Sequence, residues 1–331
     1  MGWRVMQLID SFGRVHTDLR VSLTDRCSLR CTYCMPEQMT WLKPETLLTA
    51  AEIERLVGVA VALGITRVRL TGGEPLMRRD LLDIVAGISH LPGPPDLAMT
   101  TNGIGLERMA RPLAEAGLRR INVSLDTTDP DTFLRITRRN RLDDVLAGLD
   151  AVAEAGLNPI KINAVLQRGV NDAEAADLLA FAIDRGFELR FIEQMPLDAA
   201  KSWTREVIVP ASEIIAELGR THRLTPVDGR GHAPAARWLV DSGPAVVGII
   251  AAVTEPFCSA CDRVRLTADG YLRNCLFSLE EQDLRTPLRS GATDDDLAEI
   301  FIECVSHKKA GHEIGQRDFR QPARPMSAIG G

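Results

Sequence analysis

Six short runs of apolar and β-branched residues, at 19–24, 67–71, 97–101, 120–126, 160–166 and 188–193, are separated by longer runs with helical periodicity. That alternation constrains the fold more than any other feature of the chain. The helical runs lie at 50–63, 79–89, 106–116, 142–155 and 173–185. Strands this far apart in sequence cannot be joined by hairpins. Each return passes through a helix, so the strands run parallel with right-handed crossovers. The class is α/β, as either an incomplete barrel or a doubly wound sheet. Gly64, Gly117, Gly156 and Gly186 stand where four of the helices should end on a left-handed residue. After Met195 the rhythm changes: 198–243 scatters Pro and Gly around one short helix pattern, 211–218. Strand-like pieces at 237–240 and 246–251 follow, then a hairpin around Ala268-Asp269-Gly270 and a last helix from 294 to about 308. The chain is expected to divide into a barrel unit, 1–196, and a smaller region, 197–331, packed over the barrel.

In a parallel α/β sheet the functional groups gather at the carboxyl ends of the strands. The candidate motifs all fall there. Cys27, Cys31 and Cys34 follow the first strand, Gly72-Gly73-Glu74-Pro75 the second, and Thr100-Thr101-Asn102-Gly103 ends the third. Ser124 and Asp126 end the fourth, Lys161 and Asn163 lie in the fifth, and Glu193 with Met195 closes the sixth. A structural zinc site wants four protein ligands, whereas an iron–sulfur cluster held by three cysteines keeps one iron open to a small molecule. A second trio, Cys258, Cys261 and, after thirteen intervening residues, Cys275, raises the same vacancy. For it a zinc knuckle completed by His222, His232, His307 or His312 remains an alternative. Disulfides are a poor reading, because the polar, mixed first ten residues show no secretion signal.

The formal net charge of −6 implies no nucleic-acid surface, and an aromatic content of 5% offers few base-stacking platforms. No apolar stretch approaches the roughly 20 residues of a membrane span. A cytoplasmic protein with no nucleic-acid or membrane partner is expected.

The pattern Cys27-x-x-x-Cys31-x-x-Cys34, with Tyr33 before its last cysteine and Gly-Gly-Glu-Pro at the end of the next strand, resembles the radical S-adenosylmethionine superfamily. Within it, Thr24-Asp25-Arg26-Cys27, Arg69-Leu-Thr-Gly-Gly-Glu-Pro, Thr100-Thr101-Asn102-Gly103, Asn122-Val-Ser-Leu-Asp126, Arg190-Phe-Ile-Glu193 and Phe257-Cys-Ser-Ala-Cys-Asp-Arg-Val-Arg265 resemble the GTP 3′,8-cyclase family. The likeness runs from about Asp18 to Gly330-Gly331. It implies an incomplete (β/α)6 TIM-like barrel whose open side is covered by the C-terminal region. The implied activity is that of a lyase converting GTP to 3′,8-cyclo-7,8-dihydro-GTP by reductive cleavage of S-adenosylmethionine, the first step of molybdenum cofactor biosynthesis. It implies two [4Fe-4S] clusters, one on each cysteine trio. S-adenosylmethionine would then be held at Tyr33, Gly73, Glu74, Ser124 and Met195, and GTP at Arg20, Arg69, Thr100, Lys161, Arg263, Val264 and Arg265. Gly330 and Gly331 would assist the reaction. The implied partners are GTP, a low-potential electron donor such as flavodoxin or ferredoxin, and cyclic pyranopterin monophosphate synthase downstream; a homodimer is left open. The competing readings are a radical enzyme acting on a peptide, which usually carries more C-terminal cysteines, and a zinc-binding interaction module.

No Gly-x-x-x-x-Gly-Lys-[Ser/Thr] loop is present to cradle a triphosphate, so cationic side chains must do so. Arg20 and Arg69, each flanked by apolar residues, fit that role; the competing use is a buried ion pair with Glu74 or Asp126. Arg190 is a candidate partner of Glu193. Cys304 reads as a core residue, Arg138, Arg139 and Arg141 as a solvated face, and Lys308 and Lys309 as cations suited to a helix C-terminus.

Overall fold

A computed structural model describes residues 7–198, 201–317 and 319–330. The barrel unit runs β1 (Asp18–Ser22), α1 (Ala50–Ala62), β2 (Arg67–Thr71), α2 (Leu81–Ser89), β3 (Asp96–Thr101), α3 (Leu106–Glu115), β4 (Arg120–Ser124), α4 (Pro130–Thr137), α5 (Leu142–Glu154), β5 (Ile160–Leu166), α6 (Ala175–Asp184) and β6 (Glu188–Glu193). The remainder adds α7 (Ala211–Leu218), β7 (Leu224–Val227), β8 (Ala236–Val240), β9 (Val246–Ile250), β10 (Arg263–Leu266), β11 (Tyr271–Arg273), β12 (Gln282–Asp283), α8 (Arg285–Arg289), α9 (Asp294–Ser306) and α10 (Met326–Ile329). The strands form one sheet in the order β12-β11-β10-β1-β2-β3-β4-β5-β6-β9-β8-β7, with every pairing from β10 through β9 parallel. The sheet is open, an incomplete barrel. The C-terminal region extends it at both edges, because β9 pairs with β6 and β10 with β1.

The period-two strand pattern decides what faces inward. In β5, Ile160, Ile162, Ala164 and Leu166 are buried in the core, while Lys161, Asn163 and Val165 take the opposite face. Outside, α1 packs Ile53, Leu56, Val57 and Ala60 into that core. Its start is fixed by a capping box in which Thr49 accepts from the Glu52 amide at 3.2 Å and Glu52 accepts from the Thr49 amide at 2.7 Å. Gly64, Gly117, Gly156 and Gly186 all take positive φ after α1, α3, α5 and α6, as helix-ending glycines should.

Helix α4 was not anticipated from periodicity. Its signal is local: Asp129 accepts from the Thr132 amide at 2.7 Å and Pro130 occupies the first turn. It matters to the site, because the carbonyls of Ile136 and Thr137 at its end receive the amides of Thr32 and Arg30 and so fasten the first cysteine loop. The expected hairpin at Ala268-Asp269-Gly270 joins β10 to β11. Cys304 is buried in α9, and Arg138 and Arg139 pair with Glu37 on the surface.

Candidate active site

All six cysteines of the two trios line a single cavity of about 350 Å³ at the carboxyl ends of the parallel strands. None forms a disulfide. The first trio sits on the loop after β1, where Cys34 and Met35 amides turn back onto the Cys31 carbonyl at 3.0 and 3.1 Å. The loop is clamped from beside it by Gly72 and Gly73. A Cβ on Gly73 would lie 2.6 Å from the Asp25 carbonyl and closer still to that of Arg26, and one on Gly72 would lie 2.6 Å from the Thr24 carbonyl. The Gly73 amide donates to Thr24 at 2.6 Å and the Glu74 amide to Arg26 at 2.7 Å. Only a residue without a side chain permits this approach.

Burial pushes the thiols of Cys27 up to about 11 and Cys34 up to about 12, and that of Cys31 well above its usual value, with Asp126 and Glu74 adding negative potential. Such thiols give up their protons to a cationic centre and not to water. Among the described residues no three His, Cys, Asp or Glu side chains are gathered tightly enough to hold a single metal ion. Of the histidines that could complete a zinc site, His222 pairs with Asp241 at 2.7 Å, while His232 and His312 bind the Ala260 and Ala252 carbonyls at 2.9 and 2.7 Å. His307 is exposed. Three soft thiols spread round a cavity, with no compact ligand set for one ion among the described residues, fit a cubane cluster better than zinc.

The carboxylates serve the frame. Glu74, buried at 1% exposure, accepts from the amides of Leu76 and Asn102 at 3.0 and 2.6 Å and from the Thr101 hydroxyl at 2.6 Å, tying β2 to β3. Burial pushes it up to about 7. Asp126, pushed by burial up to about 6, receives the Tyr33 hydroxyl and the Val165 amide, each at 2.8 Å. Among the described residues neither carboxylate pairs with an arginine, so the ion-pair alternative for Arg20 and Arg69 is not what the structure shows. Arg190 pairs with Glu188 at 2.8 Å, and Glu193 instead accepts from the amides of Ala211, Val253 and Thr254.

Across β2, β1 and β10 the register sets Arg69 beside Arg20 and Arg20 beside Arg265, with Arg263 two residues earlier on β10. All four line the cavity. Among the described residues none of them forms an ion pair. Arg69 donates to Asn122, with that amide turned to accept, at 2.9 Å; Arg265 donates to the Gly330 carbonyl; the Arg20 Nε has no partner. Burial lowers Arg69 to about 9 and Arg265 well below its usual value, and in each case a neighbouring guanidinium adds to the effect. Asp18, on the same wall, offsets part of the repulsion at Arg20 and Arg69, and the rest of this row of like charges in register is unfavourable until a further anion enters.

Of the remaining expected site residues, Tyr33, Gly73, Glu74, Thr100, Ser124 and Met195 line the same cavity. Lys161 is one strand step below Asn163 and pairs with Glu188 at 2.8 Å, so it does not reach the wall. Val264 is fully buried between Arg263 and Arg265 and points into the core. Gly330 lies against Ser22 and Thr71, and Gly331 is outside the described residues. Two contacts escaped the sequence reading. Asn102 donates to Cys27 Sγ at 3.5 Å, and Lys308, expected as a helix-end cation, is buried with its ammonium 3.4 Å from Cys261 Sγ. Asn102 sits in a quoted strand-end motif and so was within reach; the position of Lys308 depends on α9 packing against β11 and on its hydrogen bond to the Arg263 carbonyl of β10.

A family model described as the radical SAM superfamily matches residues 21–182, and one described as Molybdenum Cofactor Synthesis C matches 187–314. A GTP 3′,8-cyclase of Streptomyces coelicolor is 58% identical over 98% of this chain and 96% of its own length. The GTP 3′,8-cyclase 2 of Mycobacterium tuberculosis is 54% identical over 98% and 92%. Among solved structures, SuiB of Streptococcus suis matches 92% of this chain and 70% of its own with a TM-score of 0.61 at 14% identity, a likeness of fold alone. The open parallel barrel and its three-cysteine loop define a radical S-adenosylmethionine protein, a class that works with a [4Fe-4S] cluster and S-adenosylmethionine. More narrowly, the chain belongs to the GTP 3′,8-cyclase family of molybdenum cofactor biosynthesis.

Proposed function

We propose that this chain draws GTP into the cavity between its two cysteine trios and, as a lyase, joins ribose C3′ to guanine C8 to give 3′,8-cyclo-7,8-dihydro-GTP. The observation that carries the reading is the meeting of both trios and four guanidiniums, none in an ion pair among the described residues, on one cavity wall. When bound, a reduced [4Fe-4S] cluster would supply the single electron that cleaves S-adenosylmethionine, and that cleavage would supply the radical chemistry at the ribose. Cys27, Cys31 and Cys34 would hold that cluster, and Cys258, Cys261 and Cys275 a second one that meets the guanine. The Gly73 backbone, Glu74, Ser124, Met195 and Tyr33 line the wall beside the first trio and would bind S-adenosylmethionine. Arg20, Arg69, Arg263 and Arg265, with Thr100, would take the triphosphate, each charge-assisted hydrogen bond contributing about 1.5 to 3 kcal/mol. Lys161 would act from below, through the Glu188 that also orients Arg190. Val264 would contribute through its main chain. Gly330, held by Arg265, would bring the tail to the reacting ribose, with Gly331 beyond it.

The division proposed is 1–196 for cofactor cleavage and 197–331 for the second cluster and most of the substrate wall. A low-potential donor such as flavodoxin or ferredoxin would supply two electrons per turnover, one for cofactor cleavage and one that, with a proton, takes the cyclised nucleotide to its dihydro product, and cyclic pyranopterin monophosphate synthase would take that product. The setting would be the cytoplasm, where a homodimer is compatible with the fold; no described helix is long and apolar enough to cross a membrane. The test is anaerobic reconstitution followed by mass analysis of a reduced mixture with GTP and S-adenosylmethionine. The cyclised nucleotide and 5′-deoxyadenosine should appear together. Cofactor cleavage with a peptide product, and none from GTP, would overturn the reading.

A further inference from the structure

The second trio separates two cavities. Cys258, Cys261 and Cys275 line the inner, arginine-walled one and also an outer pocket of about 390 Å³ on their far side. Lys308 lines only the outer pocket. It is 4% exposed, and its ammonium donates to the Arg263 carbonyl at 2.7 Å and approaches Cys261 Sγ at 3.4 Å and the Cys261 carbonyl at 3.5 Å. Among the described residues it pairs with no carboxylate, and the nearest charged neighbours beyond the thiols include the like-charged Arg14. An ammonium buried so deeply needs a counter-charge, and among the described residues the sulfur trio supplies it. Arg14 braces the same corner through the Cys258, Lys309 and Ala310 carbonyls at 2.7, 2.7 and 2.9 Å, which keeps the Lys308 segment against the cysteines.

Among the described residues the first trio has no cation in contact with a sulfur; of that trio Arg30 reaches only the Cys27 carbonyl, at 2.7 Å. Cys27 Sγ meets the neutral amide of Asn102, Cys34 faces the Ser327 amide, and the carboxylates of Asp126 and Glu74 stand close by. Net charge and hydrogen bonds to sulfur set cluster potentials, and ligand-orienting neighbours tune them. We propose that Lys308 is a positioning residue that holds the second cluster's reduction potential above that of the first by keeping its ammonium on Cys261 Sγ. The proposal rests on the two-cluster reading given above. On the face away from the inner cavity, Lys308 acts on the cluster and not on the nucleotide.

The test is a spectroscopically monitored redox titration of the reconstituted holoenzyme, with the two cluster signals told apart by which one responds to GTP and which to S-adenosylmethionine. Lys308→Met should make the second cluster at least tenfold harder to reduce, a fall of 59 mV for one electron, and leave the first unmoved. Lys308→Arg should restore most of the shift, and Lys308→Gln, a donor without charge, should not. If Lys308→Met fails to retain its second cluster, the comparison of Gln with Arg decides. An unchanged potential in the Gln variant, or the same shift with Arg as with Met, would overturn the proposal. Wild-type protein holding a single cluster, or zinc on the second trio, would instead overturn the two-cluster reading beneath it.

Discussion

At the residue scale, the two trios look alike in sequence but differ in what their thiols meet. Cys27 lies beside Glu74 and Asn102, Cys261 beside Lys308 and Arg263. Burial raises Cys261, yet these cations bring it below its usual value overall. The roles should separate on substitution. Cys27→Ser is expected to abolish formation of 5′-deoxyadenosine, whereas Cys275→Ser should retain some abortive cleavage and lose all GTP turnover; equal turnover in both variants would contradict the assignment. Glu74 offers a pH test. Its folded-state value, about 7, lies above the unfolded 4.5, so the folded chain binds the proton more tightly. The stability this confers is full below about pH 4.5 and is lost as pH rises through about 7, a change on the order of 3 kcal/mol. Chemical denaturation of the iron-free protein should show a steeper slope in wild type than in Glu74→Gln, in which Asp126, raised to about 6, still contributes up to that pH and the fall between about 6 and 7 is lost. The cysteines and Gly72-Gly73 could be picked out from the sequence because their spacing is local. The Glu188–Arg190 pair is also local, two residues apart on one face of β6, whereas the surroundings of Arg20 and Arg69 were not legible, since strand register sets them beside each other and beside Arg265 and not against Glu74 or Asp126.

At the scale of elements, β2 and the first cysteine loop are held together backbone to backbone. Gly73→Ala should push the Thr24–Arg26 carbonyls away, since its new Cβ would sit well inside contact distance of two of them. The expected outcome is loss of about half the iron and sulfide on reconstitution, with GTP still perturbing the remaining cluster. Retention of the full complement would show that the loop can yield. The strands β1 to β6 and their helices followed from periodicity, because each buries one face against a layer that the pattern itself implies. Short elements did not. Helix α4 has only eight residues, and β10 and β11 have four and three, too brief for a period to register.

At the scale of the whole molecule, the C-terminal tail crosses back to the barrel. Arg324 binds Asp269 with two parallel 2.9 Å hydrogen bonds and Glu281 at 3.0 Å, the amide of Met326 reaches the Leu197 carbonyl at 3.3 Å, and Gly330 meets Arg265. Arg324→Leu should release about 1.5 to 3 kcal/mol of docking energy. Limited proteolysis should then cut the tail faster, and product formation should fall more than cofactor cleavage; an unaltered digestion pattern would show that the clamp does not hold the tail. Alternation of strand and helix determined the parallel α/β class, and cysteine spacing determined two three-thiol sites, because both are encoded by neighbours in the chain. Only the tertiary structure decided that both trios face one cavity, that Arg69, Arg20 and Arg265 line up across three strands, and that Lys308 backs the second trio. Those facts come from β10 adding to β1 and β9 to β6, pairings between segments far apart in sequence whose register no local pattern specifies.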